Sequence, residues 1–346
     1  MKRHRVAVVG ATGAVGKEIL AVLADRHFPI EDVRLLGSGR FEGRRMGTPV
    51  GERSVDAADH DSFAGIDVAF FAAGSDVARE LAPSAVRAGA VVIDNSSAFR
   101  MDPEVPLVVP EVNPDALDVI DHAGIVANPN CSTIVLVVVL KPIADAAGLE
   151  RVVVSTYQAV SGVGSKGIEA LERETRSVLA GEAVEPKVLP YPSAERHRVI
   201  AFNVVPHVDQ FGDQDYSKEE WKMVHETRKI LADPGLRITA TTVRVPVFRC
   251  HAETVNLELK RSLDPEHARE LLHAAPGVSV RDDPGRLEYP TPLDATGLDD
   301  VYVGRIRRDD TVSAGLNLWL VGDQLRKGAA LNAVQIAEAL IEKHRL

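Results

Sequence analysis

The fold follows from one stretch, Val6-Ala-Val-Val-Gly-Ala-Thr-Gly-Ala-Val-Gly16. Its first four residues are a short apolar run, typical of a strand buried on both faces of a parallel sheet. Three glycines follow, and apolar residues then recur at helical spacing from Ile19 to Leu23. A strand, a glycine turn and a helix in this order form the unit that cradles a dinucleotide, because small residues let the pyrophosphate approach the helix N-terminus. The spacing GxxGxxG is by itself a weak pattern, so a plain tight turn is the alternative.

The next hundred residues repeat this alternation of strand and helix. It predicts a Rossmann-like, doubly wound parallel sheet in an α/β domain, residues 1–130, that binds NADP. The predicted strands are Val33–Leu36, Val68–Phe71, Ala90–Ile93, Leu107–Pro110 and Gly124–Ala127, with a helix near Ala78–Val86.

The second predicted strand ends in Gly37-Ser-Gly-Arg40, which bears on the choice of cofactor. An NAD-specific site usually has Asp or Glu at this strand end to bind the ribose hydroxyls. Ser38 and Arg40 suit a 2′-phosphate better, whereas the following Phe41 and Glu42 oppose it. The sequence therefore predicts a preference for NADP.

A second informative stretch is Ala127-Asn-Pro-Asn-Cys-Ser-Thr-Ile134. Pro129 cannot extend a helix backwards and Asn130 is a good N-cap, so a helix should begin here, with Cys131 in its first turn. The free N–H groups and the helix dipole favour a thiolate at that position, and the same groups can hold an oxyanion. The alternative is a buried cysteine at the start of a core helix.

Beyond Cys131 the pattern changes to a mixed α+β domain, residues 131–324, and the last helix, within 325–346, has small residues that allow it to pack back on the first domain. A capping box at Ser217–Glu220 predicts where one helix begins. The predicted strands are Val152–Gln158, Thr239–Phe248, Thr254–Leu259 and one ending near Gly304; the predicted helices are Ile168–Ala180, Trp221–Leu231 and Arg326–Ile341.

Composition excludes several classes of protein. The 346 residues carry 40 Lys and Arg against 50 Asp and Glu, a formal charge of -10 that disfavours nucleic acid as a partner. Two cysteines are too few for a disulfide scaffold and suggest a reducing cytoplasm. The seven apolar residues of Ile134–Leu140 are far short of a membrane span.

A nucleophilic cysteine beside a nicotinamide indicates aldehyde oxidation through a thioester. The thiolate adds to an aldehyde, hydride passes to the cofactor, and phosphate displaces the thiol; the sequence of steps also runs in reverse from an acyl phosphate. Such a site needs a histidine as acid/base and positive charge for phosphate and carboxylate.

Over almost its whole length the chain resembles the aspartate-semialdehyde dehydrogenases. The resemblance rests on the segments Gly10–Gly16, Asp94–Arg100, Asn128–Ile134, Thr156–Gly162, Glu219–Lys222, Val243–Val247 with His251, Val303–Arg307 and Lys327–Ala337. It implies conversion of β-aspartyl phosphate and NADPH to aspartate semialdehyde, phosphate and NADP on the route to lysine, threonine and methionine. It also implies a homodimer, or a tetramer, built through the second domain, and no metal.

The resemblance assigns roles position by position. It makes Cys131 the acylated nucleophile, His251 the acid/base, and Gln158 the residue that orients the acyl intermediate. The implied substrate contacts are Arg100 and Lys222 with phosphate, Arg244 with the α-carboxylate, Glu219 with the amino group, and Asn130. The implied cofactor contacts are Gly10, Thr12, Gly13, Ala14, Val15, Ser38, Arg40, Ser75, Ser161, Gly162 and Gln324.

Several of these residues have an ordinary structural alternative. Glu219 and Lys222 are three apart on a predicted helix, where a surface ion pair is common. Arg244 lies between two valines of a predicted strand and can point outward as readily as inward. An extended backbone near residue 250 would turn either Cys250 or His251 away from the site. The rival functions are an N-acetylglutamyl-phosphate reductase, which has no use for Glu219, and a non-catalytic Rossmann-type homologue.

Overall fold

The computed structural model describes residues 2–346, which form two compact units. Unit 1 comprises the described residues up to Asn130 together with Gly328–Leu346, and unit 2 comprises Cys131–Lys327. No helix within residues 2–346 is long and apolar enough to cross a membrane.

Strands and helices alternate through unit 1 and mix less regularly in unit 2. The strands are β1 (His4–Val9), β2 (Ile30–Gly37), β3 (Arg45–Thr48), β4 (Gly51–Ala57), β5 (Val68–Phe71), β6 (Val91–Asp94), β7 (Gly124–Ala127), β8 (Leu149–Gln158), β9 (Arg237–Arg244), β10 (His251–Leu259), β11 (Val278–Val280), β12 (Val301–Asp309) and β13 (Gly315–Gly322). The α-helices are α1 (Ala14–Asp25), α2 (Ser75–Arg87), α3 (Cys131–Ala147), α4 (Ser165–Leu179), α5 (Lys218–Ile230), α6 (Pro265–Ala274), α7 (Pro292–Ala295) and α8 (Asn332–Glu342).

Unit 1 is built on a seven-stranded sheet of order β3-β4-β2-β1-β5-β6-β7. All neighbouring strands pair in parallel except β3, which pairs antiparallel with β4. Without β3 this is the strand order of the dinucleotide-binding fold, with the reversal of winding between β1 and β5. The predicted doubly wound parallel sheet is confirmed.

The alternation of side chains along β1 explains why both faces of this sheet are covered. Val6 and Val8 point into one core, which α1 and α8 complete. Ala7 and Val9 point into the opposite core, which α2 covers. A strand buried on both faces has to be apolar throughout, as the sequence of β1 indicates.

The glycine turn after β1 is confirmed and leads directly into α1. Gly10 has a φ of +83°, and a Cβ atom there would lie 2.5 Å from the carbonyl oxygen of Ala72. A Cβ on Gly16 would overlap the carbonyl of Gly10. Only glycine therefore allows the turn to lie against the end of β5 and the helix to begin at Ala14.

Unit 2 is built on a six-stranded mixed sheet of order β11-β12-β13-β10-β8-β9. The pairs β8–β9 and β11–β12 are parallel, and the other neighbours are antiparallel. Helix α3 packs against β8, β10, β12 and β13, and its apolar residues from Ile134 to Leu140 are buried. The helix that begins at Cys131 is therefore anchored in the core of unit 2.

Four details differ from the sequence-based expectations. The strand expected to reach Phe248 ends at Arg244, because Pro246 has no N–H for the ladder. Leu107–Pro110 forms only a single bridge to β7 instead of a strand. The C-terminal helix begins with a π-helical segment, Arg326–Leu331, before α8. The hairpin of β3 and β4 had no counterpart in the prediction.

Candidate active site

Cys131 is the first residue of α3, as the sequence predicted. Neither Cys131 nor Cys250 is in a disulfide; the Cys131 side chain is half-buried, whereas Cys250 is fully buried. The N–H groups of a first helical turn have no carbonyl partner within the helix. Those groups and the helix dipole favour negative charge at the position of the sulfur.

Gln158, the last residue of β8, connects the start of α3 to the start of α5. Its Nε2 donates to Oγ of Ser132 at 2.9 Å and to Oε1 of Glu219 at 3.1 Å. All three side chains are buried. The Gln158 amide therefore holds Ser132, the residue next to Cys131.

Glu219 and Lys222 do form the ion pair expected of neighbours on a helix, but it is not a surface pair. The Glu219 side chain is only 7% exposed, and Nζ of Lys222 lies 3.2 Å from its Oε2. Lys222 also donates to Oδ2 of Asp209 at 2.8 Å. The capping box of Ser217 and Glu220, predicted from the sequence, begins α5 and so places this pair.

Arg244 ends β9 and points inward, which settles the alternative left open by the sequence. It is 2% exposed, and one guanidinium nitrogen donates to the carbonyl of Ala159 at 2.7 Å. Its Nε has no hydrogen-bond partner among the described residues. Burial lowers the pKa of Arg244, while the negative charges of Glu219 and Cys131 act in the opposite direction.

His251 begins β10 and is completely buried. Its Nδ1 accepts a hydrogen bond from the backbone N–H of Ala159 at 3.1 Å. Its Nε2 meets no partner in the part of the chain that the structure describes. Burial, helped by the charge of Arg244, lowers the pKa of His251 to about 3, so the ring is neutral near pH 7. Ala159 therefore contacts both His251 and Arg244 through its backbone.

Cys250 does not have the extended backbone that the sequence analysis assumed. Its φ is +72°, in the left-handed region. Its N–H donates to Oε1 of Gln324 at 2.8 Å, and its sulfur lies 3.4 Å from Oγ1 of Thr296. Burial raises the pKa of the Cys250 thiol to about 12. The amide of Gln324 also donates to Ser161, so these two expected cofactor contacts hydrogen-bond to each other.

Two residues expected to contact substrate lie in unit 1 and are buried there. Arg100 donates from Nε to the carbonyl of Asn128 at 3.0 Å and from a terminal nitrogen to the carbonyl of Asn95 at 2.8 Å. Asn130, the last residue of unit 1, is 6% exposed. Arg100 thus closes the loop that follows β6, and its positive charge lies there.

A cavity of about 330 Å³ lies at the carboxyl ends of β1, β2 and β5 in unit 1. Gly10 and Ser38, two of the residues predicted to contact the cofactor, line it. The other lining residues are Val9, Gly37, Ala58, Asp59, His60, Ala73, Val77, Glu80 and Leu81.

Two further expected contacts have partners elsewhere in unit 1. The guanidinium of Arg40 lies 4.6 Å from the centre of the Phe41 ring, and Oγ of Ser75 lies 3.1 Å from Oγ of Ser97. Thr12 and Gly13 lie in the glycine turn, and Ala14 and Val15 are the first two residues of α1. This small-residue cradle and the adjoining cavity fit a dinucleotide.

Two buried polar residues in the sheet of unit 2, Glu253 and Thr156, were not among the predicted site residues. Glu253 on β10 is directly opposite Thr156 on β8. Both side chains are fully buried, and neither Glu253 oxygen nor Oγ1 of Thr156 has a hydrogen-bond partner in residues 2–346. Burial and the charge of Glu219 raise the pKa of Glu253. The sequence contained a signal for Glu253, because this acid stands two residues after His251, the expected acid/base.

Within the described chain, no group of three or more His, Cys, Asp or Glu could hold a metal ion.

Comparison with known proteins identifies the family to which the chain is similar. Residues 5–120 match the family described as "Semialdehyde dehydrogenase, NAD binding domain", and residues 140–327 match "Semialdehyde dehydrogenase, dimerisation domain". An aspartate-semialdehyde dehydrogenase of Aquifex aeolicus is 52% identical over 98% of both chains.

Two solved structures are similar over nearly the whole chain. Aspartate semialdehyde dehydrogenase II of Vibrio cholerae, complexed with ASA, is 44% identical with a TM-score of 0.94, covering 99% of this chain and 100% of that one. The Candida albicans aspartate semialdehyde dehydrogenase with NADP is 26% identical with a TM-score of 0.78, covering 100% of each chain.

Proposed function

This chain belongs to the aspartate-semialdehyde dehydrogenase family, and we propose that it reduces L-4-aspartyl phosphate to L-aspartate 4-semialdehyde with NADPH, in the biosynthesis of lysine, threonine and methionine. One observation carries the proposal. Cys131 opens a helix in the same unit in which buried His251 and Arg244 hydrogen-bond to one residue, Ala159. A nucleophile, a neutral imidazole and a buried guanidinium are the groups that acyl transfer on an amino-acid substrate requires.

The thiolate of Cys131 attacks the acyl carbon, the bond to the phosphate oxygen breaks, and a thioester forms on the sulfur. The N–H groups at the start of α3 stabilise the oxyanion of the tetrahedral intermediate. We assign His251 the acid/base role at that oxygen, through Nε2. Gln158 orients the acyl group, since it is held against Ser132.

Recognition of the substrate uses complementary charge. The unpartnered Nε of Arg244 and its remaining donors suit the α-carboxylate, because a guanidinium can bind both oxygens at once. Glu219, buried beside Lys222, suits the α-amino group. Arg100 and Lys222 are assigned to phosphate, and Asn130 to the substrate. An N-acetylated substrate has no ammonium to pair with Glu219, which disfavours the reductase alternative.

NADP is the proposed cofactor, and when bound it supplies or accepts the hydride. The glycine turn of residues 10–15, Ser38 and Arg40 would hold its phosphates, with Ser75, Ser161, Gly162 and Gln324 as further contacts. The support is the cradle in which a Cβ atom has no room at Gly10, and the NADP in the Candida albicans relative.

We also propose a homodimer assembled through unit 2, whose matched family description is a dimerisation domain. Sedimentation equilibrium would distinguish a dimer from a tetramer or a monomer.

The decisive assay follows NADP reduction by the purified protein with L-aspartate semialdehyde, with and without inorganic phosphate. The proposal expects phosphate-dependent reduction, much weaker reduction with NAD, and none with N-acetyl-L-glutamate semialdehyde. Mass spectrometry after adding aspartyl phosphate without NADPH should find the acyl group on the peptide containing Cys131. Activity only with the N-acetylated substrate would overturn the assignment.

A further inference from the structure

The hydrogen bond between Ala159 and His251 restricts where the imidazole can carry its proton. The backbone N–H of Ala159 points at Nδ1 of His251 at 3.1 Å. A backbone N–H can only donate, so Nδ1 must offer a lone pair and carry no proton. The single proton of the neutral ring is then on Nε2. A hydrogen bond at one ring nitrogen commonly fixes which of the two nitrogens of a histidine carries the proton.

The surroundings of the ring strengthen this restriction. The ring is fully buried, with Arg244 on β9, Glu219 on α5 and Glu253 two residues further along β10 as the charged or titratable groups around it. Burial and Arg244 disfavour the imidazolium, whereas Glu219 and a hydrogen bond with the Cys250 backbone favour it. A second proton would have to enter at Nδ1, facing the Ala159 N–H, and would cost that hydrogen bond. The Nε2–H, by contrast, has no partner in the described chain and is available to a ligand.

Building on the proposed function, we propose that the backbone N–H of Ala159 is the positioning group of His251 and holds it in the tautomer with the proton on Nε2. His251 then meets the substrate carbonyl as a hydrogen-bond donor. When the Cys131 thiolate adds to the carbonyl carbon, the electron pair of the C=O bond moves to oxygen, and Nε2–H stabilises that oxyanion.

The proton stays on Nε2 whichever bond of the tetrahedral carbon breaks next. If the bond to phosphate breaks, a thioester remains; if the carbon–sulfur bond breaks, the thiolate is regenerated. The proton that balances the overall reduction goes to the released phosphate and not through the ring. His251 therefore acts as a hydrogen-bond donor in the reaction and keeps its proton.

The tautomer can be measured directly, without any assay of activity. The full-length protein would be labelled with ¹⁵N in its histidine rings, and long-range ¹H–¹⁵N correlations recorded from pH 8 to pH 5.5. His251 is assigned by the signal lost in His251→Asn. We expect a proton-bearing Nε2 and a proton-free Nδ1 across this range. A proton on Nδ1 of the wild-type protein, in a neutral or a cationic ring, would overturn the proposal even if the enzyme is fully active.

A backbone substitution tests the role of the N–H itself. Lactic acid incorporated at position 159 replaces this N–H by an ester oxygen and leaves the Ala159 carbonyl, which Arg244 uses, in an ordinary peptide. The comparison variant is the valine hydroxy acid at position 160, which removes the N–H that binds the carbonyl of Val247 and turns the Ala159 carbonyl into an ester carbonyl, a weaker acceptor for Arg244. Both changes remove one backbone donor from the same turn, but only the ester at 159 removes the donor to His251.

The ester at 159 should move the ring proton to Nδ1 and lower kcat about a hundredfold, the scale of a lost hydrogen-bond donor to an oxyanion, with a smaller change in KM. The ester at 160 should leave the tautomer of His251 as in the wild type, and its weaker contact with Arg244 should show in KM. An unchanged tautomer in the folded 159 ester would contradict the proposal. If that ester does not fold, the measurement on the wild-type protein decides alone.

Discussion

Gly162 and Arg244 are so close that the glycine has no room for a side chain. A Cβ atom on Gly162 would lie 2.6 Å from a terminal guanidinium nitrogen of Arg244. That guanidinium is buried and held by the carbonyl of Ala159, so it cannot move into solvent to make room. Gly162 therefore determines where the Arg244 guanidinium can lie, apart from the cofactor contact that the resemblance implies for this glycine.

Gly162→Ala should displace the Arg244 guanidinium and weaken binding of the substrate carboxylate. We expect the KM for aspartate semialdehyde to rise about tenfold, since small misplacements of positioning groups have effects of this order. Gly47→Ala is the matched control, because a Cβ atom there meets nothing within 4 Å. Equal KM values for both variants would show that the pocket tolerates the methyl group.

Cys131→Ala should abolish turnover while the fold persists, because no other group in unit 2 is placed to form the thioester. Cys250→Ser should keep most of the activity, since burial holds the pKa of that thiol at about 12 and it is not a nucleophile at pH 7. Steady-state kinetics and circular dichroism on both purified variants provide the test. Substantial turnover by Cys131→Ala would rule out the covalent mechanism, and a comparable loss in Cys250→Ser would show that the two cysteines act together.

Arg244→Lys should impair the enzyme although it keeps the charge. A guanidinium offers a planar fork to a carboxylate, whereas an ammonium offers one point charge. The expected loss in kcat/KM corresponds to roughly 2–3 kcal/mol, the order of a charge-assisted hydrogen bond. Kinetics equal to those of the wild type would mean that the buried guanidinium has only a structural role.

Arg40→Ala should erode the preference for NADP. The guanidinium lies over the Phe41 ring, three residues after the end of β2, and is the group proposed to bind the 2′-phosphate. We expect the KM for NADP to rise about tenfold, with little change for NAD, because only NADP carries the phosphate. Glu42→Gln is the companion variant and should improve NADP binding. Equal catalytic efficiency of the wild type with both cofactors would show that Glu42 outweighs Arg40.

Glu253→Gln should raise the free energy of unfolding, and more at pH 8 than at pH 5. The folded-state pKa of Glu253 lies well above the ordinary value of 4.5, so this group destabilises the fold as pH rises above 4.5. The cost grows by about 1.4 kcal/mol per pH unit until the folded-state pKa is reached, and a glutamine does not incur it. Urea unfolding at pH 5, 6, 7 and 8 gives the difference, with Glu258→Gln on the same strand as control. A difference that does not change with pH would show that Glu253 ionises freely in the fold.

The sequence alone determined the features that depend on local rules. The run of β1 followed by three glycines predicted the dinucleotide fold, since a doubly buried strand has to be apolar and a tight turn needs glycine. Pro129 and Asn130 predicted where α3 begins, and Ser217 with Glu220 predicted the start of α5. These signals lie within a few residues of the structure they specify.

Tertiary structure decided what depends on contacts distant in sequence. Whether Arg244 points inward, and whether Glu219 is buried, follows from how β8, β9 and α5 pack, which no local pattern encodes. Cys250 has a left-handed backbone, and its N–H donates to Gln324, 74 residues away. The tautomer of His251 depends on the N–H of Ala159, 92 residues away. A backbone donor looks the same at every position of a sequence, so only the folded chain shows which side chain it meets.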